Sequence, residues 1–116
     1  MQDFRNLKVW EKSHLFVLEV YRASELFPSG LVSQIRRAAS SIPTNIAEGC
    51  GRGSHPDLAR FLQIVMGSAS EVEYQLILAQ DLQILSCEKF SELESELIEI
   101  KRMLNSLIRK VRSTEN

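Results

Sequence analysis

Apolar residues recur three and four positions apart in four separate stretches of the chain, and nowhere do apolar and polar residues alternate over the length of a strand. The pattern predicts four helices, no sheet and an all-α fold in one domain spanning residues 1–116. Punctuation falls at Phe27-Pro28-Ser29-Gly30, along Gly49-Cys50-Gly51-Arg52-Gly53-Ser54-His55-Pro56, and more weakly at Ser86-Cys87. These breaks bound helices at about residues 6–27, 31–49, 57–85 and 87–112.

The last helix carries the plainest signal. Phe90, Leu93, Leu97, Ile100, Leu104, Leu107 and Val111 step alternately by three and four, an a/d seam that calls for a facing helix. Ser86 is placed to cap its start, and its charges run from acidic to basic along the helix dipole. In the third helix Leu58, Phe61, Leu62, Val65, Ala69, Val72, Leu76 and Ala79 share a broad face, with Pro56 suited to the helix start. A thinner stripe of Ile64, Leu78 and Leu82, which also holds Glu71 and Gln75, lies on another side. The first helix likewise has two apolar faces, one with Leu7, Trp10, His14, Val17, Leu18 and Tyr21, the other with Val9, Phe16, Val20, Ala23 and Phe27. A lone bundle needs one stripe per helix, so the surplus predicts burial against another copy.

The second helix places Leu31, Ile35, Ala38, Ala39, Ile42 and Ile46 on one face and carries Pro43 in its interior. A proline there removes one hydrogen bond and crowds the preceding turn, so a kink is expected, with Ser40 or Ser41 satisfying the loosened backbone and Gly49 as the stop.

Charge changes this picture little. The 14 basic and 15 acidic residues leave a formal net charge of −1, so affinity for nucleic acid has to come from local clusters. Arg36, Arg37 and Arg52 form one such cluster, and Arg109, Lys110 and Arg112 form another. No signal-peptide core or membrane span is visible, and Cys50 and Cys87 spell no redox or zinc motif, which suggests a reduced, cytoplasmic protein with no membrane partner.

Candidate chemistry is sparse. Glu11-x-x-His14 has the spacing of a di-iron half-site, but the only other histidine, His55, stands in the glycine loop and supplies no second half. The loop Gly49–Ser54 lacks the lysine and spacing of a phosphate loop. No nucleophile has a recognisable base. No catalytic residue, metal, cofactor or small-molecule substrate is therefore expected.

Four stretches go beyond patterning: Phe4-Arg5-Asn6-Leu7-Lys8-Val9-Trp10, Phe27-Pro28, Gln34-Ile35-Arg36-Arg37-Ala38-Ala39-Ser40-Ser41-Ile42-Pro43-Thr44-Asn45-Ile46-Ala47-Glu48-Gly49, and Gly67-Ser68-Ala69-Ser70-Glu71-Val72-Glu73. Through them nearly the whole chain resembles the small proteins encoded in bacterial 23S ribosomal-RNA intervening sequences, also called the S23 ribosomal protein family. The resemblance implies an up-down antiparallel four-helix bundle that assembles as a homopentameric ring. It also implies kinship with the accessory variability protein of diversity-generating retroelements, a ring that binds reverse transcriptase and nucleic acid. That relative is distinctly basic and this chain is not. The expectation is a non-enzymatic adaptor for RNA, DNA or a nucleic-acid enzyme, and the alternative is a purely protein-binding scaffold. Within the matching stretches Trp10, Ser41, Pro43, Asn45, Glu48, Gly49, Ser68 and Glu71 are read as structural or interface residues. Asn45 and Glu48 are expected to serve the proline break or pair with nearby arginines, and Ser68 and Glu71 to bond across a helix contact.

Overall fold

The computed structural model describes residues 3–114, in which a short 3-10 turn, η1 (Phe4–Asn6), precedes α1 (Lys8–Ala23), α2 (Ser29–Cys50), α3 (His55–Asp81) and α4 (Cys87–Ser113). Each helix packs on its neighbours in sequence and α1 closes the circle against α4, while the diagonal pairs do not meet. The result is an up-down bundle about 48 Å long and 21 by 20 Å across.

Local chemistry sets the boundaries. Ser54 and Ser86 cap α3 and α4, their hydroxyls accepting from the backbone N–H of Asp57 and Lys89. Helix α1 is shorter than its periodicity suggests: it ends at Ala23, the chain turns through Ser24–Phe27, and Phe27 reaches the core from that turn. Helix α3 stops at Asp81 rather than near 85, because Gln83 adopts a left-handed φ of 63°. Leu85 nevertheless tucks inward. Helix α2 starts directly after Pro28 and runs through the buried Pro43 as one element of 22 residues. The Ser40 hydroxyl bonds the Arg37 carbonyl at 3.2 Å and Ser41 turns to α3, so neither performs the backbone repair expected of it.

Gly49 is not the stop of α2, which continues through Cys50. A Cβ on Gly49 would stand 2.9 Å from Phe61 Cβ and 3.0 Å from Leu58 Cδ1, so this glycine lets α3 approach the α2 backbone. The Cys50 thiol is buried, and that burial pushes its pKa up. In the core, Ile35, Ala39, Ile42 and Ile46 of α2 meet Leu62, Val65, Ala69 and Val72 of α3, all essentially inaccessible to solvent, with Phe16 and Val20 of α1 and Leu93, Leu97, Ile100 and Leu104 of α4.

Candidate interaction surfaces

Ser41, Asn45 and Ser68 line the edge of the α2/α3 contact. The Ser41 and Ser68 hydroxyls lie 2.6 Å apart, and the Asn45 amide donates to the Ser41 carbonyl at 2.8 Å and to its hydroxyl at 3.1 Å. The Ser41–Ser68 bond ties the two helices together, and Asn45 supports it from within α2. Glu71 does not cross to α2: it accepts from the Gln75 amide one turn along its own helix, at 3.4 Å. Gln75, expected on an outer stripe, is 4% exposed, and its carbonyl oxygen has no partner within the described chain. Glu48 pairs with Arg52 at 3.6 Å, and both are half-exposed.

On the first helix the two faces separate as the sequence suggests. Val9, Phe16 and Val20 are buried. Trp10 and Val17 are half-covered, and His14, Leu18 and Tyr21 are exposed. Trp10 stacks parallel to His14 with centroids 5.4 Å apart, and Phe4 meets Trp10 edge-on at 5.0 Å. Sequence reasoning did not foresee this aromatic row, because Phe4 joins it only through the turn of η1. Ile64, Tyr74, Ile77 and Leu82 of α3 and its turn are exposed as well. Gly67 stands exposed in the middle of α3, where an added Cβ would meet nothing within 4 Å.

The six basic candidates divide. Arg36 is committed to holding the end of α1: its guanidinium donates to the Tyr21 carbonyl at 2.9 Å and to the Ser24 hydroxyl at 3.0 Å, and lies 4.5 Å from the Tyr21 ring centre. It thereby satisfies a carbonyl that the helix terminus leaves unpaired. Arg37, beside it, is exposed. Arg52 lies at the opposite end of α2, about 24 Å along the axis at 1.5 Å per residue. It packs 5.0 Å from the Phe61 ring, on which Arg60 also sits at 4.7 Å. The antiparallel order brings Arg109, Lys110 and Arg112 to this same end, together with Lys8. None of those four has a carboxylate within ion-pair distance among the described residues.

Charge is thus segregated along the bundle. The end built from residues 3–12, 45–63 and 103–114 holds eight cations and four carboxylates, a balance of +4. The remaining described residues hold six cations and ten carboxylates, a balance of −4. Towards the acidic end Lys89 bridges Glu19 and Glu92, and nearby Glu96 has its pKa raised by burial and by the Glu19 charge.

Compared with known proteins, residues 5–106 match the model of the 23S rRNA-intervening sequence protein family. The chain belongs to this family. A solved member of the S23 ribosomal protein family from Bacteroides thetaiotaomicron, of unknown function, is 28% identical and superposes with a TM-score of 0.81, covering 86% of this chain and 97% of that one. A search of curated proteins gave no significant match. In this intervening-sequence protein, the described residues contain no helix long and apolar enough to cross a membrane and no cluster of three or more metal-ligating side chains. Glu11 and His14 are both exposed on α1, and His14 is stacked on Trp10.

Proposed function

We propose that this protein is a non-enzymatic, self-associating adaptor that grips the phosphates of RNA or DNA with its basic end and presents them to a nucleic-acid enzyme such as a reverse transcriptase. The observation that carries this reading is the charge segregation: a chain with net charge −1 concentrates +4 at one end, where Arg109, Lys110, Arg112 and Lys8 stand without carboxylate partners among the described residues. Cations placed this way exchange their counterions for phosphates, and a ring of copies multiplies the effect. Arg36 contributes least to the phosphate contacts, since its Nε and Nη2 donors already serve α1. The exposed apolar residues of α1 and α3 and the open position at Gly67 support self-association, for which a homopentamer is the expected state.

Fluorescence anisotropy with a labelled RNA hairpin tests the reading. Binding at low salt should weaken by at least about tenfold between 50 and 200 mM salt. The double variant Arg109→Glu/Arg112→Glu should lose most of that affinity, and Arg37→Glu should change it by less than about twofold. Absence of binding at low salt would sink the proposal. Native mass spectrometry of the same preparation reads the subunit count. The alternative, a scaffold that binds only protein, draws on the exposed α1 face and predicts partner capture that survives reversal of every basic candidate.

A further inference from the structure

The α1/α4 seam is open at the basic end. Two neighbouring cavities of about 410 and 400 Å³ adjoin at Leu7, Leu107 and Lys110 and together outline a groove. The opening has a cause in the chain path: η1 folds against α1 and α2, where Phe4 lies on Trp10, so nothing in the described chain covers the opposite flank of α1. The floor is aliphatic and thioether, with Leu7, Val9, Met103 and Leu107, and the one ring among the described lining residues is the imidazole of His55 in the second cavity. Lys8 on one bank faces Lys110 on the other, and both stand without a carboxylate partner among the described residues. Glu99 is the only carboxylate among the described lining residues, and Arg102 already neutralises it.

We propose that this groove docks an acidic amphipathic helix of a partner protein. An apolar floor between cationic banks is complementary to a helix with leucine-type residues at i, i+3, i+4 and i+7 and carboxylates on its flanks. From Met103 to Val111 the α4 wall runs about 12 Å, which matches two turns of such a helix. Met103 lends the floor an adaptable side chain. Nucleic acid would use the banks and leave the floor exposed to water, so the floor selects a protein helix. The inference goes beyond the phosphate-binding reading; Lys8 and Lys110 serve both, and the residue that separates them is Met103 on the floor.

The test uses the full-length protein and a fluorescein-labelled 14-residue peptide with glutamates flanking a leucine stripe. Its controls are a scrambled peptide of the same composition and a version with lysine in place of glutamate. Anisotropy should report binding of the acidic amphipathic peptide, with at least tenfold weaker binding of both controls. The pair Lys8→Glu/Lys110→Glu should weaken it at least tenfold, and the uncharged floor variant Met103→Gln should weaken it several-fold. Circular dichroism checks each fold, and Lys8→Glu alone, an exposed change, supplies a fallback with a several-fold loss. Equal binding of the scrambled peptide would reduce the site to non-specific charge and overturn the proposal. So would peptide binding that disappears as the protein self-associates and returns on dilution, because the occupant would then be a second copy. RNA anisotropy run on the uncharged floor variant Met103→Gln keeps the two readings separate: it should be unchanged there whatever the peptide does.

Discussion

The two helix contacts on either side of the bundle are built to different standards. Between α2 and α3 the facing positions are small or close-fitting, with Ala38, Ala39, Gly49 and Ala69 buried and the Ser41–Ser68–Asn45 bonds along the edge. Between α1 and α4 the chain uses longer side chains, leaves the groove below Val9, and holds Glu96 where burial disfavours its charge. Close approach of backbones makes the first contact a source of stability and leaves no room for a ligand. The second contact gives up packing and keeps an accessible, chemically marked surface.

Truncation would expose this difference most strongly. Ile42→Ala, at a fully buried position facing α3, should cost about 2–5 kcal/mol in urea unfolding, whereas Met103→Ala on the groove floor should cost under about 1 kcal/mol. Equal losses would erase the contrast. A gentler probe is Gly49→Ala. Its new methyl must displace Phe61 or Leu58, so thermal unfolding should show a loss of about 1–3 kcal/mol despite the better helix propensity of alanine. The smallest effect belongs to Glu96→Gln. A carboxyl whose folded pKa lies above its unfolded value destabilises the fold once pH exceeds that range, and the penalty fades as pH falls through the folded pKa. Because Glu96 is also exposed and its charge is screened by solvent, Glu96→Gln should raise stability only slightly at pH 7, by less than about 0.5 kcal/mol, and leave it unchanged near pH 4 in paired thermal melts.

Much of the fold was legible because helical periodicity reports burial directly: the α4 seam lies inward over Leu93, Leu97, Ile100 and Leu104. Further along, a helix of 3.6 residues per turn drifts from a strict heptad, so Ile108 is buried while Leu107 is left half-exposed to line the groove. The ends of α1 and α3 misled for one shared reason. Phe27 and Leu85 keep the apolar rhythm and reach the core, but they do so from turns. Gly49 shows how a residue type admits two meanings, a helix stop or a close contact, and only the position of Phe61 decides between them. The basic candidates were visible as a list of residues, yet their division was not, because the role of Arg36 depends on where α1 ends and the company of Arg52 depends on antiparallel order. The groove was the least legible feature of all, since it exists through the direction taken by three residues before α1.

A molecule that carries opposite charge at the two ends of a 48 Å body is, in bulk solution, a large permanent dipole hidden behind a net charge near zero. Such particles attract head to tail when counterions are scarce, so the protein should be least soluble in dilute buffer and salt in as added ions shorten the Debye length below the span of that dipole.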